Sequence, residues 1–222
     1  MSRGAGMGRS VAIDLHIHTP LSPCGADEMR PPEVLLTAER KGIGVVGIVD
    51  HCSARNAWAF LEAAPAFDVR VFVGLEIESS ENVHILALFD SLEPAMEMDR
   101  IVSEHLPGLT NRVDVFGPQL LVDEWGEVRG EDDRLLVTAV DIGLEDIAEM
   151  SHGLGGLSIP AHVDRSANGL LRLLGFVPPK LQVDAFEVSA SHWGGSLKSF
   201  PELQGRPLTT ASDAHCLADI GR

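Results

Sequence analysis

Asp14-Leu15-His16-Ile17-His18-Thr19 follows the apolar run Val11-Ala12-Ile13, and its reading decides the fold. In an extended chain, residues two apart point to one face. His16 and His18 therefore stand side by side at the end of a strand. The pair either begins a metal site or lies on the polar face of an ordinary strand. What decides between them is whether later segments bring further ligands to the same place.

Outward from this stretch, strand-like and helix-like segments alternate. Residues 31–41, PPEVLLTAERK, read as a helix with proline in its first turn and Gly42 at its end. Residues 42–50, GIGVVGIVD, read as a buried strand and 56–64 as a short helix. Two strands at 69–77 and 83–89 precede a helix over 93–105. Residues 119–133, QLLVDEWGEVRGEDD, form a hairpin or a surface excursion. A helix over 144–152 stops at Gly153 and Gly155. A strand at 156–161, a helix at 166–174 and two short strands at 185–189 and 207–211 complete the order. This alternation predicts an α/β domain over 11–222 with a parallel sheet, open or closed into a barrel. Residues 1–10 read as a loose Gly-rich leader without the apolar core of a secretion signal.

Composition narrows the function classes. The 222 residues are 45% hydrophobic, enough for one large domain or at most two. No apolar run approaches the ~18 residues of a membrane span, so no membrane partner is expected. Cys24, Cys52 and Cys216 do not space like a disulfide framework, which points to a reducing cytoplasm. The net charge is -16, from 33 acids against 17 bases, and there is no Lys/Arg run. Such a domain repels a long nucleic-acid backbone. Most of its carboxylates read as solvated surface.

The polar residues cluster at strand ends: His16 and His18, Asp50-His51, Gly74-Leu75-Glu76, His84, Ala161-His162, and Ser212-Asp213-Ala214-His215. Six of the nine histidines lie there. In a parallel barrel the C-terminal strand ends share one face, so these residues converge. Imidazole and carboxylate are good ligands for zinc, manganese and iron. So many donors exceed the needs of one ion and imply two or three divalent metals, with Glu76 able to bridge. A lone histidine is more often structural. His105 and His152 take that reading, and His152 also suits a helix C-terminus. His192 stays open.

The ordered motifs DLHIHT, VDH (49–51), GLE (74–76), NVH (82–84), PAH (160–162) and SDAH (212–215) resemble those of the PHP (polymerase and histidinol phosphatase) family of metal-dependent phosphoesterases, over about residues 11–217. The resemblance implies a distorted seven-stranded (β/α)7 barrel with a trinuclear metal site at the C-terminal ends of the strands. By motif, His16, His18, Glu76 and Asp213 would hold one ion. Glu76, His84 and His162 would hold a second, and His51 and His215 a third. Some members draw another ligand from the loop after the first motif. Here Cys24 stands near that place, a thiolate that would favour zinc or iron. Asp27 is an alternative, and so is water.

The implied activity is hydrolysis of a phosphate monoester or diester of a small molecule or nucleotide by a metal-activated hydroxide, without a protein nucleophile. The expected partner is a small phosphorylated substrate: a nucleotide, a short oligonucleotide, or a sugar or amino-alcohol phosphate. Asp50 and Asp14 would orient histidines. Arg55, in DHCSARN, and Arg165, in PAHVDR, would grip phosphate or else pair with abundant carboxylates. Phe176-Val177-Pro178-Pro179 and Trp193 would shape a substrate pocket or simply pack. Two alternatives remain. One is an amidohydrolase-like barrel cleaving a C–N bond, which usually carries a bridging lysine. The other is a non-catalytic metal-bound module that regulates a partner. Finally, CLADIGR after His215 is short for a covering helix. The chain would then be a fragment, or a neighbouring copy in a homo-oligomer would cover that side.

Overall fold

A computed structural model describes residues 10–190 and 199–222. Its main sheet has five strands in the order β1-β2-β3-β4-β7. These are β1 (Ala12–Ile17), β2 (Ile43–His51), β3 (Arg70–Glu78), β4 (His84–Phe89) and β7 (Leu157–Pro160). The sheet is curled as in a half-barrel. A second, parallel pair, β8 (Phe186–Glu187) and β9 (Leu208–Thr209), lies alongside. A small antiparallel hairpin, β5 (Leu120–Val122) with β6 (Val128–Glu131), falls where the excursion is expected.

The expected all-parallel sheet requires correction. β1–β2 and β2–β3 are parallel, but β4 runs antiparallel to both β3 and β7. The reason is loop length. Only residues 79–83 separate β3 from β4. An antiparallel pair needs no more, whereas a parallel return needs about a dozen residues. Where a seven-stranded barrel is expected, the described residues form a five-stranded sheet, with the β8–β9 pair and the β5–β6 hairpin as separate two-stranded sheets. The short pair is tied to the main sheet by backbone hydrogen bonds on both sides: Val163 N–H to Glu187 O and Asp184 N–H to Ser158 O (both 2.9 Å) on one, His18 N–H to Ala214 O (3.0 Å) and Ala214 N–H to His16 O (3.2 Å) on the other.

Alternation along the strands separates two apolar layers. Val71, Val73, Leu75 and Ile77 of β3 face the helix-covered core with Ile85, Ala87 and Phe89 of β4. The helices there are amphipathic. In α1 (Pro31–Arg40) the buried residues are Pro31, Val34, Leu35 and Ala38, and the chain leaves through Gly42 at φ 72°. In α2 (Leu92–Glu104) they are Ala95, Met98, Asp99 and Val102. In α3 (Leu144–Gly153) they are Leu144, Ile147, Ala148 and Ser151. The opposite face of the sheet carries a smaller cluster of Val49, Leu86, Leu88, Ile159 and Ala161, with Phe72 against it. Two residues further along that same face come His51 from β2 and His84 from β4. Glu76 shares the face with Phe72 of β3. The candidate site therefore stands on this inner apolar floor.

Gly74 is built into that face. A Cβ there would lie 1.8 Å from the Ala87 carbonyl oxygen of β4, so the backbone itself is in the way. Gly74→Ala is expected to destabilise the fold by about 1–3 kcal/mol, the usual range for forced overpacking. Urea unfolding followed by circular dichroism measures it; an unchanged midpoint would contradict the close approach.

Candidate metal centre

β1 delivers His16 and His18, β2 delivers His51, β3 delivers Glu76, and β4, because it is reversed, delivers His84 from its first position. Antiparallel pairing sets His84 opposite Glu78 and so beside the ends of its parallel neighbours. His162 follows β7; Asp213 and His215 follow β9. Three backbone positions here are unusual. Besides Asn82 and Asn168, the positive-φ non-glycine residues among the described residues are Cys52 (45°), His162 (31°) and Asp213 (50°). Asparagine, aspartate and histidine adopt this region more readily than cysteine does, but it is uncommon for all of them, and such conformations concentrate at functional sites.

Glu76, 1% exposed, is the centre. Its Oε1 lies 2.7 Å from His84 Nδ1, 3.1 Å from His162 Nε2 and 3.3 Å from His16 Nε2. Its Oε2 lies 3.1 Å from His51 Nδ1 and 3.4 Å from His18 Nε2. Asp213 Oδ1 is 3.3 Å from His16 Nε2 and 3.2 Å from His18 Nε2. His215 stacks on His18, with ring centroids 4.2 Å apart. Among the described residues, three donor groups have geometry suited to an ion: His16, His18 and Asp213; His18, His51 and His215; and His51, Glu76 and His84. They share His18 and His51, so they form one continuous donor pocket rather than separate sites.

The hydrogen bonds behind the ligands fix where the protons are. Asp50 accepts from Thr19 N–H (2.8 Å), Thr19 O–H (2.7 Å), Ser22 N–H (3.2 Å) and Ser22 O–H (2.7 Å). Ser22 has a single hydroxyl proton, and it goes to Asp50. At 2.9 Å, His18 Nδ1 must then be the donor to Ser22 Oγ. His16 Nδ1 likewise faces an acceptor, Glu187 Oε2, at 3.1 Å. With both protons on Nδ1, the two Nε2 lone pairs confront each other at 3.1 Å, ringed by Glu76 and Asp213 oxygens. Such a convergence of lone pairs without a proton is repulsive unless a cation occupies it. The donor set fits a divalent metal.

The electrostatics say the same. Burial works against charge on Glu76, yet His84, His16 and His51 hold its carboxyl well below the carboxylate range. Burial is likewise outweighed at Asp213 by His16 and His18, which hold it far down. Without a metal, protons fill the role. Burial opposes charging of His16, but Glu187, Glu76 and Asp213 raise it well above 6.5. Burial also opposes charging of His84, but Glu76 raises it to about 9. His18 and His51 are lowered by burial to about 4 and about 3, so they stand neutral and ready to coordinate.

Cys24 joins none of the donor groups, but it stands close to them: burial, with the carboxylates of Glu76, Asp50 and Asp213, pushes its thiol up to about 12. Asp27 is exposed. Asp50 reaches His18 through Ser22. Asp14 instead ties down the C-terminal segment, accepting Ser212 N–H (2.9 Å) and Gly221 N–H (2.8 Å), while Ile220 is buried. Arg165 sits at the mouth, 46% exposed, with Nη2 2.7 Å from Asp213 Oδ2. Arg55 turns to Asp132 near the hairpin, at 3.0 Å. His105 contacts the Ile101 carbonyl and His152 contacts Asp184, both apart from the centre. Phe176 is exposed. His192 and Trp193 lie outside the described residues. Sequence reasoning missed Ser22 and Glu187. Glu187 had a signal, a lone acid inside the short apolar strand AFEV. Ser22 had none.

Residues 14–154 match the PHP domain family. Among curated proteins, MJ1587 of Methanocaldococcus jannaschii, an uncharacterised protein, is 37% identical over 84 residues, covering 34% of this chain and 48% of that one. MJ0043 of the same organism, also uncharacterised, is 26% identical over 151 residues, 68% of this chain and 16% of that one. The chain thus spans half or less of the length of the curated relatives it matches. Among solved structures, the lesion-specific endonuclease PfuEndoQ from Pyrococcus furiosus aligns at TM-score 0.72 and 22% identity, over 96% of this chain and 50% of its own. An amidohydrolase from Chromobacterium violaceum aligns at 0.64 and 20%, over 96% and 90%. A protein assigned as a metal-dependent phosphoesterase from Bifidobacterium adolescentis aligns at 0.61 and 18%, over 93% and 88%. At these identities the likeness is one of fold.

Proposed function

The chain belongs to the PHP domain family, and from that premise we propose that it hydrolyses a phosphate monoester or diester of a small molecule or nucleotide. His16, His18, His51, Glu76, His84, His162, Asp213 and His215 would hold two or three divalent ions. The observation that carries this reading is the pair of Nε2 lone pairs of His16 and His18, 3.1 Å apart beside Glu76 and Asp213. Divalent ions in such a pocket lower the pKa of water and neutralise phosphate oxygens. An imidazole-rich set suits zinc or iron as well as manganese. Cys24, which joins none of the donor groups, is left out of this ligand set.

The chain's own groups do the rest. Ser22 and Asp50 keep the His18 proton on Nδ1. His215 Nδ1–H donates to the Asp213 carbonyl at 2.8 Å, which leaves its Nε2 for the pocket. Arg165 holds Asp213 from the solvent side. When a phosphate arrives, its guanidinium can exchange that partner for two phosphate oxygens. Asp213 remains compensated by the histidines. A chain of net charge -16 repels a polyanion, which favours a small substrate. Endonuclease Q is solved with a 27-mer duplex carrying an abasic lesion, so such a duplex belongs in the test.

Metal-loaded protein is assayed against p-nitrophenyl phosphate, bis(p-nitrophenyl) phosphate, nucleoside monophosphates, an abasic duplex and N-acyl amino acids. Phosphoester hydrolysis is the expected result; amine release with no phosphoester turnover would overturn it. At saturating metal, Arg165→Met is expected to raise KM by about 10–150-fold, as for loss of one charge-assisted contact of ~1.5–3 kcal/mol. An unchanged KM would leave Arg165 as a partner of Asp213 alone.

A further inference from the structure

We propose that Glu187 is a positioning residue of the metal centre: from β8 it fixes His16 as the Nδ1–H tautomer and, with the same carboxylate, seats the turn that carries His162. This rests on the metal-dependent reading above. Glu187 is 2% exposed. Its Oε2 is 3.1 Å and its Oε1 3.3 Å from His16 Nδ1. Oε1 also accepts the His162 backbone N–H at 3.1 Å. One carboxylate thus spans two ligands from opposite ends of the sheet, β1 and β7. It supports His162 where the backbone is strained, at φ 31°. The next residue repeats the tie through the backbone, Val163 N–H to Glu187 O at 2.9 Å.

The chemistry explains why an acid is placed there. A buried carboxylate is costly unless a charged or strongly hydrogen-bonding partner faces it. Among the described residues its side-chain partner is the ring of His16. A carboxylate behind a ligating histidine orients the ring and raises the basicity of the far nitrogen. Nε2, on the far side, is the atom that meets His18, Glu76 and Asp213. Without Glu187 the ring can rotate or take the other tautomer, which turns a donor N–H into the pocket.

Zinc serves as the probe, with affinity read by competition against a chelating dye and the His16 Nδ1–H read by proton NMR of the zinc-loaded protein. Glu187→Ala is expected to lower zinc affinity about 10–100-fold, the usual effect of removing such a partner, and to erase the protected Nδ1–H signal. Glu187→Gln keeps an oxygen at the Oε1 position but no charge. It is expected to keep the signal and lose about tenfold in affinity. A folded Glu187→Ala protein with wild-type affinity and an intact signal would overturn the assignment. If Glu187→Ala does not fold, Glu187→Gln decides: unchanged affinity overturns it. Wild-type protein that binds no zinc, manganese or iron would overturn the metal reading itself, an outcome visible before any variant is made.

Discussion

Glu76→Gln protein, purified with ample metal, will carry only a small fraction of the wild-type metal, and its kcat/KM toward a phosphoester will fall by about 1,000-fold or more. The two oxygens of Glu76 lie 2.7–3.4 Å from ring nitrogens of five histidines. Among the described residues no other touches as many of the donors. Glutamine preserves the volume, so the inner apolar floor stays packed. It removes the negative charge and turns one ligand atom into an N–H donor aimed at imidazole nitrogens. Losing ~4 kcal/mol of transition-state stabilisation, a modest share of what metal ions supply, is a factor of about 1,000. Elemental analysis measures the metal, circular dichroism the fold, and steady-state kinetics the rate. A folded variant with full metal and full rate would sink the central role of this carboxylate.

The candidate donors are legible in the sequence because most of them end, open or closely follow a strand. Backbone direction then places the side chain, as it does for His16, His51 and Glu76. His84 was legible for a different reason than supposed. It opens β4, so in a parallel sheet it would lie at the wrong end. The reversal of β4 brings it beside Glu78. The five-residue gap at 79–83 excludes a parallel return, so the reversal is readable in the sequence. The separation of the short β8–β9 pair from the five-stranded sheet is not readable. β8 and β9 have two residues each, and prolines at 178, 179 and 207 remove backbone donors around them.

The supporting groups were hidden for a common reason: their partners are distant in sequence. Asp50 was expected to touch a histidine, and it does so only through Ser22, 28 residues away. Glu187 meets His16 across 171 residues. Arg55 pairs with Asp132 only because the hairpin region folds back. Strain at His162 and Asp213 is a property of the folded backbone and leaves no trace in composition.

Metal-free protein will lose stability as pH rises from about 6.5 to 9, and a bound divalent ion will suppress that loss. Burial alone would lower His84, but Glu76 at 2.7 Å raises it from 6.5 to about 9. A histidine whose folded pKa is raised stabilises the fold fully below its unfolded value. That contribution disappears as pH climbs through the folded value. A gap of about 2.5 units corresponds to about 3 kcal/mol. The depressed carboxyl of Glu76 is the same interaction seen from its partner and adds nothing further. On the acid side the sign reverses. His18 and His51 are lowered by burial to about 4 and about 3. Below 6.5 the unfolded chain binds protons that these buried rings refuse, so stability falls toward those values. Metal-free protein is therefore squeezed from both sides, with its best pH near 6.5 as far as these groups decide. A divalent ion replaces the proton on His84, so binding releases protons and strengthens as pH rises. Urea midpoints at pH 6.5, 7.5 and 9, with EDTA and with excess zinc, measure both effects. A metal-free midpoint that stays flat across this range would show that Glu76 and His84 do not share a buried proton.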